Sequence, residues 1–295
     1  MNRIVYTFAI GKRKYAECAM GLGRSLKFIG DTTTRVVVTD RSDFPWDECF
    51  DLVLPPPEGG LEWLFFNKLD ALKRTDADHV LFIDGDTLAF KRMSEIFDYC
   101  QGRGLCVLGK MITDEFWHVD AKKFCAEHGL EGLAKFNGGF IYYERTPECE
   151  ALIEKCYEIG GRAAELGFAR PEHDKAMPIN DEIGIAIAMA MTGSGHVIPD
   201  WMDFQNSATG LVGKLRLDIK SRTCQFVCRR FDLRIVEPHL FHASRYINFF
   251  IYWRQLAFLE RMARYAKTRP FGYINPWNKL RRSVEKRVLR LRGKL

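Results

Sequence analysis

The chain has 295 residues, 47% of them hydrophobic and 13% aromatic, which supports a sizeable core in one large α/β domain or two small ones and excludes general disorder. Its net charge of +6 is unevenly placed: residues 251–295 carry 13 Lys/Arg against 2 Asp/Glu, a local +11, which leaves 1–250 at −5. An acidic body of this kind excludes reading the whole chain as a nucleic-acid binder from its basicity, and makes the tail a separate question.

The opening stretch MNRIVYTFAIGKRKY is too short for a secretory signal and lacks a small-residue cleavage site; it reads as a first strand over 4–10. Helical spacing covers 15–28 and stops at Gly30. TRVVVTD (34–40) is a second strand, and FDLVLPPP (50–57) a third, ended by prolines. LEWLFFNKLDALKR (61–74) places apolar residues at helical period. HVLFIDGDTLAF (79–90) begins as an apolar strand and ends in Asp84-Gly85-Asp86. Short apolar strands alternating with helices predict a parallel, doubly wound sheet, where ligands collect beyond the carboxyl ends of the strands. Asp84 and Asp86 stand at such an end.

Further on, GLCVLGK (104–110) and FNGGFIYYE (136–144) read as strands, and 147–167 as a helix with a weak point at Gly160-Gly161. NDEIGIAIAMAMTG (180–193) reads as a helix with Asn180 as N-cap and Asp181 and Glu182 in its first turn, where carboxylates complement the helix dipole. The segment 213–244 predicts short strands. From 248 to 294 the pattern is largely helical, broken near Pro270 and Pro276. There Tyr252, Trp253, Phe258, Tyr265, Phe271, Tyr273 and Trp277 interleave with basic residues. The expected division is therefore 1–247 and 248–295.

No run reaches the roughly 18 apolar residues that span a bilayer; the nearest, INFFIYW (247–253), is interrupted by Arg254. The odd count of nine cysteines, several of them inside apolar runs, predicts buried free thiols in a reducing compartment, hence a cytoplasmic chain. Cys224 and Cys228 lack two further clustered ligands and do not make a zinc site.

The chemistry concentrates at Asp84-Gly85-Asp86. Two carboxylates this close repel, and each loses water on approaching a core. Residues i and i+2 of a strand share a face, so at its end both can converge on one divalent cation, with Gly85 permitting close backbone approach. The same tripeptide is also good turn chemistry. An apolar strand followed by Asp-x-Asp resembles, too, the first motif of haloacid-dehalogenase-type phosphatases, where Asp84 would be the nucleophile. The intervening glycine, Thr87 directly after the second aspartate, and three preceding strands all depart from that motif.

The segment is also similar to the DxD motif of GT-A-fold glycosyltransferases, and four further features stand in the order of one retaining family. That family includes glycogenin and bacterial lipopolysaccharide galactosyl/glucosyltransferases (glycosyltransferase family 8-like). FNKLDAL (66–72) resembles the helix before the DxD strand, whose lysine, here Lys68, faces the donor. FNGGFIYYE resembles the strand whose asparagine, here Asn137, with Gly138 beside it, meets the donor sugar. NDEIGIA (180–186) takes the place of an acidic helix start. PHLFHAS (238–244) resembles a late stretch whose histidine completes the metal site; His239 or His242 can match, and His242, nearer the loop end, is favoured. The family's Lys-Pro-Trp is replaced by Ser244-Arg245-Tyr246, which leaves open the basic group that holds the diphosphate.

The resemblance implies a GT-A-like α/β fold, a mostly parallel sheet flanked by helices, with a helical basic C-terminal extension. It implies Mn²⁺ or Mg²⁺ on Asp84, Asp86 and His242, and a nucleotide-sugar donor, a UDP-sugar, with Thr7, Phe8, Ala9 and Tyr15 cradling base and ribose. It implies hexosyl transfer with retention to a glycan or lipid-linked acceptor, with Asp181 and Glu182 near the reacting carbon or the acceptor hydroxyl. PDWMDFQNS (199–207) is expected on the acceptor side. The aromatic and basic tail favours an anionic membrane surface, peripheral on its inner face, over nucleic acid. A non-catalytic nucleotide-sugar-binding protein of the same fold is the remaining reading.

Overall fold

Most of the apolar runs named above become elements of a computed structural model that describes residues 2–57, 63–168 and 179–268. In chain order these are β1 (Arg3–Ala9), α1 (Arg13–Ile29), β2 (Thr34–Thr39), β3 (Leu52–Leu54), α2 (Ala71–Arg74), β4 (His79–Ile83), β5 (Thr87–Ala89) and α3 (Ser94–Cys100). There follow β6 (Cys106–Ile112), β7 (Phe116–Trp117), β8 (Val119–Asp120), α4 (Ala121–His128), β9 (Leu133–Glu144), α5 (Pro147–Gly161) and α6 (Asp181–Thr192). The last are β10 (His196–Pro199), β11 (Gln205–Asn206), β12 (Leu211–Asp218), β13 (Thr223–Cys228), β14 (Ile235–Val236), β15 (Leu240–His242) and α7 (Phe250–Thr268). Two compact units divide after Leu259, covering 1–259 and 260–295.

The central sheet has the order β10-β6-β9-β4-β1-β2-β3. Neighbours pair in parallel except at β9, which runs antiparallel to both β4 and β6. The sheet is thus the mostly parallel one expected of a GT-A-like chain, and the wholly parallel, doubly wound reading is corrected at β9. That strand is buried at nearly every position. A continuous apolar run reads alike in either direction, so periodicity could not reveal its sense.

Alternation along the strands fills two layers. In β4, all five residues are buried; Val80 and Phe82 join one apolar cluster while Leu81 and Ile83 join another. The first cluster is closed by α4, α5 and α6, the second by α1 and α3, so helices cover both faces.

The single helix expected over 61–74 is not continuous. Residues 61 and 62 lie outside the described residues, and the rest forms a 3-10 turn, Phe66–Leu69, followed by the four-residue α2. The hydroxyls of Tyr157 and Tyr143 donate to the carbonyls of Phe66 and Lys68 at 3.0 and 2.6 Å. Those acceptors are then lost to regular helix hydrogen bonding. The Phe66 ring fits between α5 and α6: a Cβ on Gly184 would stand 2.4 Å from its ring carbon, and one on Gly160 3.0 Å. Gly184→Ala is therefore expected to cost about 1–3 kcal/mol by overpacking. Urea unfolding checks this, and an unchanged midpoint would show that the ring moves freely.

The helix from Pro147 ends at Gly161, where the glycine pair predicted weakness. A small sheet β11-β15-β5 returns the late chain to the end of β4, and β12-β13-β14 form an antiparallel sheet beyond it. Gln255 of α7 ties back to β12, its amide donating to the Leu217 carbonyl at 2.8 Å and its carbonyl accepting from the Ile219 amide at 3.1 Å. Residues beyond 268, including Phe271, Tyr273 and Trp277 of the expected tail, lie outside the described residues. Among the described residues no helix is long and apolar enough to cross a membrane. All nine cysteines are free and buried, as read from the sequence, and Cys224 and Cys228 pack in an apolar cluster with Phe226.

Candidate active site

The chain leaves β4 at Ile83 and turns through Asp84-Gly85-Asp86 into β5. The Asp84 amide donates to the Gly139 carbonyl at 3.0 Å, and the Thr87 amide donates to the Asp84 carbonyl at 3.1 Å. The turn lies against the end of β1: a Cβ on residue 85 would stand 2.9 Å from the Phe8 carbonyl oxygen, so glycine is required there.

The third partner comes from register. β15 pairs antiparallel with β5, setting His242 opposite Thr87, and the Ala243 amide donates to the Asp86 carbonyl at 2.9 Å. His242 Nε2 then lies 3.1 Å from Asp86 Oδ1 and 3.7 Å from Asp84 Oδ2. One ligand atom from each of Asp84, Asp86 and His242 falls within 4.8 Å of the others. Two carboxylates and an imidazole form a donor set that fits a hard to borderline divalent cation such as Mn²⁺ or Mg²⁺. His239 points the other way, buried, with Nε2 at 2.9 Å from Glu95 of α3. Of the two histidines left open by the sequence, His242 is the one that lies beside both aspartates.

Burial would push the His242 imidazole down, but the Asp86 hydrogen bond and charge, with Asp84 beyond, raise it above its ordinary value. Burial would likewise push Asp86 up, but His242 and the backbone amides of Asp86 and Ser244 hold it below the usual carboxylate range. Without metal, imidazolium and carboxylate stabilise each other, and below that raised pKa a cation that took the imidazole would have to displace its proton. Mn²⁺ affinity should rise with pH through the raised His242 pKa and level off above it. Titration of Mn²⁺ binding between pH 5.5 and 8 measures this, and a flat profile would exclude His242 as a ligand.

Lys68 lies under the same turn. Its ammonium is 3.0 Å from Asp181 Oδ2 and 3.8 Å from Asp84 Oδ1, and donates to the Gly138 carbonyl at 3.0 Å. Burial favours the neutral amine, yet the Asp181 and Asp84 charges outweigh it and keep Lys68 protonated. At the start of α6, Asn180 caps the helix by accepting from the Ile183 amide at 3.2 Å. Glu182 Oε1 accepts from the Gly138 amide at 2.8 Å, and its Oε2 faces His118 Nε2 at 3.6 Å.

These groups surround a cavity of ≈ 730 Å³. Of the residues singled out by sequence, Phe8, Tyr15, Lys68, Asp84, Gly85, Asp86, Gly138, Asp181, Glu182 and His242 line it. Three are placed elsewhere. Thr7 and Ala9 alternate with Phe8, and their side chains are buried on the opposite face, Ala9 against Ala16 and Ala19 of α1. The Asn137 side chain turns back to accept from the Gly139 amide at 3.1 Å and lines a neighbouring, smaller cavity. Sequence reading missed Lys14, whose ammonium donates to Asn248 Oδ1 at 2.8 Å and which lines the larger cavity, and it missed His118. Lys14 adjoins Tyr15 on α1, which was signal enough to include it. His118 stands alone in its segment and gave none.

No family model matches the chain, and no curated protein matches it. Among solved structures it is similar to mouse xyloside xylosyltransferase 1 in its apo form, at 12% identity and a TM-score of 0.48, over 70% of this chain and 88% of that one. It is similar also to the glycosyltransferase GlyE of Streptococcus pneumoniae TIGR4, at 15% identity and a TM-score of 0.45, over 69% of this chain and 47% of that one. The apo form of GlyE gives 14% identity and 0.44 over 70% and 47%. The match thus spans about half of GlyE.

Proposed function

We propose that the chain is a divalent-cation-dependent glycosyltransferase that moves a hexosyl group from a nucleotide-sugar donor, a UDP-sugar, to a glycan or lipid-linked acceptor, with retention. The observation that carries this reading is the convergence of Asp84, Asp86 and His242 with Lys68, Asp181 and Glu182 on one cavity of ≈ 730 Å³.

Asp84, Asp86 and His242 would hold the cation, which when bound takes up the negative charge that develops on a diphosphate leaving group. Phe8 and Tyr15 offer aromatic surface to the base and ribose. Lys68 lies against Asp181 and Asp84 and holds both carboxylates in place. Glu182, anchored through one oxygen by the Gly138 amide, keeps its other oxygen for an acceptor hydroxyl or the reacting carbon. A carboxylate at that carbon permits retention through a covalent intermediate, and its absence there would require attack on the donor's own face.

Turnover of a panel of nucleotide sugars, with EDTA and after Mn²⁺ is restored, tests the reading. Transfer that is insensitive to EDTA would overturn its metal part. A uridine nucleotide bound without turnover would favour the non-catalytic alternative. The phosphatase alternative is not favoured, because the half-buried Asp86 is held toward its ionised form by His242, which makes it a poor proton donor to a leaving group. We propose further that 1–247 is the catalytic part and 248–295 a basic extension that meets an anionic membrane surface on the cytoplasmic side, on the strength of its charge. Co-sedimentation with anionic liposomes should fall when the chain is ended at Lys267.

A further inference from the structure

A second cavity, of ≈ 250 Å³, adjoins the first, and His242 lines both. Anything bound there lies within reach of the donor site. Its walls combine the aromatic faces of Trp117 and Phe136 with the side-chain amides of Asn137 and Asn206. That mixture of flat apolar surface and hydrogen-bonding groups suits one sugar residue. Asn137 also reaches Glu182 Oε1 at 3.5 Å, which links this cavity to the candidate catalytic carboxylate.

The charge of the cavity is the informative part. Lys110 and Lys135 both line it, and they sit directly opposite one another in the β6–β9 pairing. Like charges at directly opposed positions destabilise a sheet. One carboxylate serves both: Glu115 bonds Lys110 and lies 2.6 Å from Lys135, and the two lysines pull its carboxyl down to about 2. The lysine pair therefore keeps a surplus positive charge. Arg230 also lines the cavity and is matched by Asp200 at 3.1 Å. So a cationic grip lies at the rim of a body whose net charge over 1–250 is −5. Two opposed lysines that a single carboxylate only half neutralises are the kind of local conflict found at functional sites.

We propose that this cavity is the acceptor subsite, and that the acceptor sugar bound there carries an anionic substituent, a phosphate or a carboxylate, held by Lys110 and Lys135. The proposal rests on the glycosyltransferase reading. In the transfer, an acceptor hydroxyl oxygen forms the new bond to the anomeric carbon as that carbon's bond to the diphosphate oxygen breaks. The hydroxyl proton leaves to a carboxylate or to the departing diphosphate, and the anionic substituent is unchanged.

The test compares glucose, glucuronate and glucose 6-phosphate as probes, by NMR titration of the full chain. In parallel, Mn²⁺-dependent binding of uridine diphosphate reads the donor site. The wild-type chain should bind at least one anionic probe roughly tenfold more tightly than glucose, the stronger one identifying phosphate or carboxylate. Lys110→Gln with Lys135→Gln should erase that preference, with uridine diphosphate binding unchanged and the unfolding midpoint little moved, because the lost ion pairs to Glu115 are exposed. Equal binding of all three probes, no binding of any, or an anion preference that survives in the double variant would each overturn the proposal. Loss of uridine diphosphate binding by the wild-type chain, with the anion preference intact, would instead overturn the donor-site reading.

Discussion

Lys68→Met should destabilise the protein by about 3–5 kcal/mol at neutral pH, and the deficit should shrink as the pH falls. Asp181 is 3% exposed, and the Lys68 ammonium at 3.0 Å is what balances its charge. Methionine fills similar space without charge, so the variant leaves Asp181 buried and uncompensated, with Asp84 losing part of its balance and the Gly138 carbonyl losing its donor. Burial already pushes the Asp181 carboxyl up against the pull of Lys68. In the variant its folded pKa lies further above the unfolded one. The penalty is therefore complete above the folded value, and it disappears once the pH falls below the unfolded carboxylate value. Urea unfolding of both proteins at pH 7 and near pH 4.5 measures the difference. An equal deficit at both would mean that Asp181 is solvated. Turnover should be lost as well, because the same ammonium orients two carboxylates of the site.

Asp84→Asn combined with Asp86→Asn should abolish Mn²⁺ binding and lower turnover roughly 10³-fold or more, while the fold persists. Four carboxylates, Asp84, Asp86, Asp181 and Glu182, line the cavity with Lys68 and His242, so removing two relieves repulsion among them but also removes the Asp86 partner of His242. The metal-free unfolding midpoint should therefore stay or fall modestly. Added Mn²⁺ should stabilise the wild-type protein, by about 2.7 kcal/mol at 100 times its dissociation constant, and leave the variant unmoved. Wild-type turnover in the double variant would remove the cation from the mechanism.

Much of this site was legible because its signals are local. Asp84 and Asp86 follow an apolar strand, and Asn180 with Asp181 and Glu182 spells a helix start, so each could be placed from a few residues of context. The limits lay where long-range pairing decides. His242 was separated from His239 only by the register of β15 on β5, which no single segment encodes. The helix over 61–74 is interrupted because tyrosines 75 and 91 residues away in sequence take its carbonyls. Thr7 and Ala9 share the strand end with Phe8, but the alternation of β1 turns them to the face opposite the cavity. Asn137 was placed with the donor by resemblance, and a local hydrogen bond to Gly139 turns it toward the smaller cavity. The antiparallel sense of β9 left no trace in a strand buried on both faces.

The nine buried thiols have a practical consequence. They are distributed over all four apolar clusters: Cys125, Cys149 and Cys156 in one, Cys100 and Cys106 in the second, Cys18, Cys224 and Cys228 in the third, and Cys49 in the fourth. Burial pushes several up, Cys49 and Cys149 to about 12, so the thiolates that react with alkylating agents are scarce until the surrounding packing opens. Each layer of the molecule thus carries its own built-in opening reporter. Pulsed alkylation along a denaturant series, read peptide by peptide, would give the order in which the layers come apart. Cys18 alone lines the larger cavity, and its labelling would report on occupancy of the site as well as on unfolding.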